Sequence, residues 1–376
     1  MSRSRRGRTS NTQTELFSTN ERDLLVSRSV FSTALTRLDL LEDHGALRDG
    51  VAALKQTLGS PGGTEMLVSN GHDDSVLLRR DVLLSEFDQV LDARTIERAR
   101  YYLKRLRRGL DAAKTTGIND INLLRWKEYD EILTDSLWSL PKRDTSGAHL
   151  GWYWGNFVPQ IPHQLILRFT RKGEWVLDPF VGSGTTLIEC RRLGRNGVGI
   201  DLNPEVVGRA RDLVCKESNP NGVKTELLCG DSRAVNYNAI LVRLGVERVQ
   251  LVIMHPPYHD IVSFSEDERD LSNAGSTDTF LKMFSDALET VTPVLQRGRH
   301  LALVVGDKYA RGDWIPLGYY CMNEVMQRGY SLKSIVVKNF EETRAKREQK
   351  QLWRYRALVG GFYIFKHEYV FLFRKK

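Results

Sequence analysis

Two short stretches of this sequence combine residue types that can do chemistry. The first is Asp178-Pro179-Phe180-Val181-Gly182-Ser183-Gly184-Thr185-Thr186, a glycine-rich turn directly after the apolar run 175–177. Glycines there let the backbone approach a ligand closely, and a helix starting at the turn offers free N–H groups. The second is His255-Pro256-Pro257-Tyr258, which follows the apolar run 251–254. Two prolines fix φ and bring no N–H of their own, so the carbonyl oxygens stand out as preorganised acceptors. The Pro256 carbonyl and a neutral His255 imidazole can accept both hydrogens of an exocyclic amine, which favours the pyramidal nitrogen whose lone pair can attack. Tyr258 can stack on the ring that bears the amine, and a base in a duplex has to be flipped out to reach such a site.

Phosphate-binding readings of the glycine turn fail on single residues. A dinucleotide fingerprint needs a third glycine at position 187, where Leu187 stands, and the Gly-Lys-Ser/Thr of a P-loop is missing. Instead Asp201 follows the next apolar run, 198–200, and lies 19 residues after Gly182. A carboxylate there can accept both hydroxyls of a ribose. Asp231, after the run 227–229 and Gly230, can accept from an adenine amino group. Any one of these acids alone reads more simply as a helix cap or turn residue, whereas three at successive strand ends point to a nucleoside-bearing cofactor.

The elements that must position these residues are legible from hydrophobic pattern. From residue 175 onward, apolar runs at 175–177, 198–200, 227–229, 251–254, 301–305, 335–337 and 369–373 are separated by helical lengths. Runs that are continuous, not alternating, imply a sheet covered on both faces, hence an α/β, doubly wound sheet of about seven strands. In such sheets ligands bind at the carboxyl ends of the strands, which is where the residues above fall. Upstream, 21–58 and 77–115 carry apolar positions at helical spacing, such as Leu83, Leu84, Phe87 and Leu91, then Ile96, Tyr102 and Leu106. Both read as helices, with a loop over 59–74 between them and no visible internal repeat.

Together, DPFVGSGTT, an acid after GVGI, the pair GD and a xPPY tetrapeptide resemble the amino-methylating DNA methyltransferases, the adenine-N6 and cytosine-N4 class. Asn156-Phe157-Val158-Pro159, followed by Pro162 and Leu165, is similar to that family's segment against the methionine end of the cofactor. The ending His367-Glu368-Tyr369 through Phe373 looks like its last core strand. The resemblance covers 136–376 and implies a Rossmann-like methyltransferase domain there, with S-adenosylmethionine as cofactor and no metal. It implies cofactor contacts from Phe157, Pro159, Asp178, Pro179, Phe180, Gly182, Ser183, Gly184, Thr185, Thr186, Asp201 and Asp231. Catalysis would fall to His255, Pro256, Pro257 and Tyr258. The implied partners are double-stranded DNA and a cognate restriction nuclease. One residue departs from the pattern: the family carries Asp, Asn or Ser where this chain has His255. A neutral histidine still accepts one hydrogen bond, and the choice between adenine and cytosine stays open.

Charge agrees with a polyanionic partner: 55 Lys and Arg against 47 Asp and Glu leave a formal +8. Basic residues concentrate in 94–108, around Tyr101 and Tyr102, and in 344–356, around Trp353 and Tyr355. The expected organisation is a basic, disordered tail over 1–20, a helical region over 21–135, and the methyltransferase domain over 136–376. Target recognition is placed in the helical region plus 340–360, and the polar segment 259–272 is read as a loop beside the reactive tetrapeptide. Four scattered cysteines suit a reducing cytoplasm, and no run of 18 apolar residues suggests a membrane span. Two rival functions share the fold: guanine-N2 methylation of RNA, and a catalytically inactive DNA-binding homologue. Cytosine-C5 methylation is disfavoured, because its covalent mechanism needs an activated cysteine nucleophile, typically after proline, and no Pro-Cys pair exists.

Overall fold

The computed structural model describes residues 22–60, 74–339 and 350–376. The arginine-rich start, most of the 59–74 loop and the 344–349 part of the second basic window lie outside the described residues. The chain divides into two compact units. The first holds the described residues up to Thr115 together with Ile121–Asp130, and the second holds Thr116–Asp120 and Glu131–Lys376.

The first unit contains β1 (Asp23–Ser27), α1 (Arg28–Asp39), α2 (His44–Gly59), β2 (Ser75–Arg79), α3 (Arg80–Leu91) and α4 (Ile96–Asp111). It is built on one plan used twice: a strand of 5 residues, a helix of 12, then a helix of 16. The two strands pair antiparallel with Val26 opposite Val76 and Leu24 opposite Leu78, while α1 packs on α4 and α2 on α3. Phe31 and Phe87 meet edge to face at 6.4 Å in the centre of this core. The helical spacing expected over 21–58 and 77–115 therefore holds for four helices, but each stretch opens with a strand. In these strands Leu24, Val26, Val76 and Leu78 are buried while Leu25 and Leu77 are exposed, a period of two that five residues are too few to announce. The repeat likewise lives in element order, not in matching residues.

In the second unit the strands are β3 (Leu137–Trp138), β4 (Trp175–Asp178), β5 (Asn196–Asp201), β6 (Thr225–Cys229), β7 (Val249–Met254), β8 (Leu295–Val305), β9 (Lys308–Ala310), β10 (Asp313–Ile315), β11 (Tyr330–Asn339) and β12 (His367–Lys375). The helices are α5 (Gln160–Phe169), α6 (Thr185–Leu193), α7 (Pro204–Lys216), α8 (Tyr237–Leu244), α9 (Thr277–Val291), α10 (Leu317–Gln327) and α11 (Lys350–Gly360). All seven expected runs are strands of one sheet, ordered β3-β11-β12-β8-β7-β4-β5-β6, and the two-residue β3 adds an eighth. Neighbours run parallel from β8 to β6, and β12 lies antiparallel between β8 and β11.

Why these strands are apolar throughout is visible in the packing. Leu177, Val252, Met254, Leu301, Leu303, Phe371 and Phe373 face a layer formed by α8, α9 and α10. Their neighbours Val176, Leu251, Ile253, Ala302, Val304, Val370 and Leu372 face the other way, toward α5. Both faces are covered, so no strand position can be polar without cost. The chain leaves β4 for β5 and β6 on one side and returns to β7 and β8 on the other. That reversal opens a crevice between the carboxyl ends of β4 and β7, the switch point where ligands bind in such sheets.

Candidate active site

A cavity of about 400 Å³ opens at that crevice. Of the residues expected from sequence, Phe157, Pro179, Phe180, Gly182, Ser183, Asp201, Asp231, His255, Pro256, Pro257 and Tyr258 line it. The glycine turn and the proline tetrapeptide thus open onto one rim and one space. Pro159, Asp178, Gly184, Thr185 and Thr186 are not on its wall; Pro159 caps α5, Gly184 caps α6, and the others are buried supports.

Asp178 shows what such a support does. Its carboxylate takes the Phe180 N–H at 3.0 Å and the Thr186 hydroxyl at 2.5 Å, tying the turn to the start of α6. Burial pushes its pKa up to about 7 against those two hydrogen bonds. Thr185 donates to Asn156 Oδ1 at 2.8 Å and so binds the 156–159 segment to the same turn. Gly182 sits at φ +49°, and a Cβ there would meet the Tyr153 ring at 3.0 Å. That ring is in turn stacked on Phe264 at 5.6 Å. Backbone conformation and close approach both demand glycine at this point.

The two acids that follow differ in what they have left to offer. Asp201 is half-buried, and its oxygens take the N–H groups of Gly182 (3.1 Å) and Asn203 (2.9 Å). Each oxygen keeps a further lone pair for a ligand hydroxyl. Burial is the main cause of its raised pKa. Asp231 is gripped by its own neighbour: Arg233 donates Nε to Oδ1 at 3.0 Å and Nη2 to Oδ2 at 2.8 Å.

The reactive tetrapeptide is held from the other side of the sheet. His255 lies 4.8 Å from the Phe157 ring, and its Nε2 is 3.1 Å from the Tyr258 hydroxyl. Burial pushes the imidazole down to about 4, so it is neutral at pH 7. The Tyr258 ring lies over Gly306, where a Cβ would meet it at 3.0 Å, and its hydroxyl donates to Glu368 Oε2 at 2.8 Å. Glu368 is paired with Lys338 at 3.2 Å, and both are buried on the cavity wall. Neither was expected from sequence. The signal was a lone charge in each of two apolar strands, IVVK and HEYVFLF, but only the pairing of β11 with β12 sets Lys338 opposite Glu368.

Tyr153, Phe264, Asn156 and Arg143 are further wall residues that sequence reasoning left out of the site. The segment after Tyr258 is anchored at its root: His259, at φ +54°, gives and takes hydrogen bonds with Ala274 O (2.8 Å) and Lys308 Nζ (3.0 Å). It then contributes Ile261, Val262, Phe264 and Asp270 to the wall.

The unspent polar atoms test whether the cofactor implied by the motifs fits. Arg143 Nη1 donates to the Phe157 carbonyl at 2.8 Å, while its Nε and Nη2 and the Asn156 Nδ2 are buried without a hydrogen-bond partner among the described residues. Buried donors left over on a cavity wall call for an acceptor, best an anion. The carboxylate of S-adenosylmethionine supplies one, and its ribose hydroxyls match the spare lone pairs of Asp201, so the residues present fit the group. Away from the cavity, Asp144, His149 and Glu189 bring ligand-type atoms within 4.8 Å of one another. There Glu189 is bonded to His149 (2.6 Å) and His163 (2.7 Å), and the Arg192 guanidinium at 3.4 Å already supplies a cation.

A family model described as DNA methylase matches residues 103–212, which include the 156–159 segment, the glycine turn and Asp201. The chain is similar to the type II methyltransferase M.MjaII of Methanocaldococcus jannaschii, 38% identical over 21% of this chain and 16% of that protein. It is also similar to M.XycI of Xanthomonas campestris pv. cyanopsidis, 40% identical over 20% of this chain and 24% of the relative. M.HpaI of Haemophilus parainfluenzae is 45% identical over 15% of this chain and 18% of its own length. The match thus spans less than a quarter of the length of each of these relatives. On these motifs and matches, the chain is similar over this region to the N6/N4 family of DNA methylases.

Proposed function

We propose that this protein transfers a methyl group from S-adenosylmethionine to the exocyclic amino nitrogen of a base in DNA, cytosine N4 or adenine N6. The observation that carries this reading is that the glycine turn and His255-Pro-Pro-Tyr258 line one cavity at the switch point of a covered parallel sheet. When bound, S-adenosylmethionine supplies an electrophilic methyl group on a sulfonium. Asp201 holds the ribose hydroxyls, and Arg143 with Asn156 holds the carboxylate. The Pro256 carbonyl and the neutral His255 ring accept the two amine hydrogens, which concentrates the nitrogen lone pair toward the methyl group. Tyr258 stacks on the flipped base. Ser232 donates to the Pro179 carbonyl and steadies the turn between the two halves.

On the same reading the partners are duplex DNA and a cognate restriction nuclease that spares methylated sites, in a reducing cytoplasm. Among the described residues no helix is long and apolar enough to cross a membrane. We infer that the first unit and the 340–360 segment contact the target. The cations of the 94–108 window differ in availability: Arg105 pairs with Glu86, and Arg100 and Arg107 bond to Leu41 O and the Thr36 hydroxyl, whereas Arg94 and Arg108 are exposed.

Mass spectrometry of nucleosides, after incubating duplex DNA and structured RNA with the protein and S-adenosylmethionine, tests the proposal. N4-methylcytosine or N6-methyladenine from DNA is expected. Methylation confined to RNA, or absent from both, overturns it.

A further inference from the structure

The hydrogen bonds around His255 determine which ring nitrogen carries its proton. Glu368 is 4% exposed, and its Oε1 lies 3.2 Å from the ammonium of Lys338, itself 4% exposed. A carboxylate in an ion pair with an ammonium has no hydrogen of its own and can only accept hydrogen bonds. The Tyr258 hydroxyl, 2.8 Å from Glu368 Oε2, therefore spends its single hydrogen there. What it presents to His255 Nε2, at 3.1 Å, is a lone pair. Nε2 must then be the N–H, and a neutral imidazole has only one.

We infer that Lys338, Glu368 and Tyr258 lock His255 in its Nε2–H form, making Nδ1 the sole acceptor of the ring. Among the described residues Nδ1 has no hydrogen-bond partner, and His255 lines the cavity. Nδ1 is attached to Cγ, the same place that the side-chain oxygen of an aspartate or asparagine occupies. This is how a histidine serves where the motif carries Asp or Asn. In the other tautomer Nδ1 would present a hydrogen to an amine that needs acceptors, and the two donors would oppose each other. Lys338 and Glu368 are thus positioning residues that act through Tyr258. The value of the acceptor rests on the amine-methylating reading above; the tautomer does not.

Nitrogen-15 NMR of the full chain labelled at histidine reads the tautomer directly, with His255 assigned by loss of its signals in His255→Asn. The expected result is a protonated Nε2 and a bare Nδ1. A protonated Nδ1, or an even mixture, overturns the inference. Tyr258→Phe keeps the ring and removes the acceptor of the Nε2–H, so the preference should relax toward a mixture; an unchanged tautomer shows that the Glu368–Tyr258 pair does not set it. Methyl transfer supplies the second arm. His255→Asn places an amide oxygen at the Nδ1 position and should stay within about tenfold of the parent. His255→Gln places its amide near Nε2 instead and should lose roughly 100-fold, the upper end of the loss seen when a histidine's orienting partner is removed. Equal losses in both overturn the Nδ1 assignment. A locked Nε2–H tautomer in a protein that methylates no nucleic acid would uphold the lock and defeat the proposed function.

Discussion

The two sides of the cavity are built by different means. On the β4–β5 side, support comes from neighbours in sequence and from backbone N–H groups: Asp178 on Phe180, Asp201 on Gly182 and Asn203, and Val181 N–H on the Ile200 carbonyl at 2.9 Å. On the β7 side, the reactive tetrapeptide is held by side chains from far along the chain, with Tyr258 and Glu368 separated by 110 positions. The first side can be assembled by a glycine-rich turn and one strand crossover. The second exists only once β8, β12 and β11 have closed the sheet beside β7. The family match has the same asymmetry, because it covers the first side and ends before the second.

The sharpest way to break this comparison is to disable one side and ask whether the other notices. Tyr258→Ala and Pro257→Ala should each lower methyl transfer by roughly 10²- to 10³-fold, as loss of preorganised polar groups or a stacking face does, while calorimetric affinity for S-adenosylmethionine stays within about threefold. A matching loss of affinity would mean the two sides form one mechanical unit.

A smaller effect separates the two acids of the cofactor side. Asp201→Ala removes a carboxylate with lone pairs to spare and should weaken cofactor binding by roughly 10- to 100-fold. Asp231→Ala removes one already committed to Arg233, and a change of about threefold is expected. Equal losses in equilibrium binding would show that Arg233 releases Asp231 when the cofactor enters.

The mildest effect concerns pH on the tetrapeptide side. His255 is pushed down to about 4 by burial, below its unfolded value near 6.5. Above 6.5 the ring is neutral in both states and pH does nothing. As pH falls from 6.5 toward 4 the unfolded chain takes up a proton that the folded chain refuses, so stability declines through that window. His300, also pushed down to about 4 by burial, adds to the same decline, so His255→Asn should remove part of the slope in thermal melts. The ring's capacity as acceptor should persist through the ordinary histidine range. A loss of transfer centred near 6.5 that disappears in His255→Asn would contradict a buried, neutral His255.

Much was determined by sequence alone. Seven of the eight strands of the large sheet were legible, since a doubly covered strand is apolar at every position and such runs stand out against amphipathic helices. Four strand-end clusters were legible too, because the turn glycines and prolines are local requirements of φ and of space. Less of the first unit was readable: two five-residue strands were absorbed into the helical pattern, and a repeat of element order left no mark in residue identity. The sorting of site residues was decided by tertiary structure. Asp178 and Thr186 turn toward each other, Asp231 is taken up by Arg233, and Arg143 and Asn156 keep donors without a partner among the described residues. The Lys338–Glu368–Tyr258–His255 chain is the clearest case. Its members stand at three separate places in the sequence, and hydrogen bonding reaches only about 3 Å, so nothing short of the folded sheet could bring them together or select the nitrogen left bare.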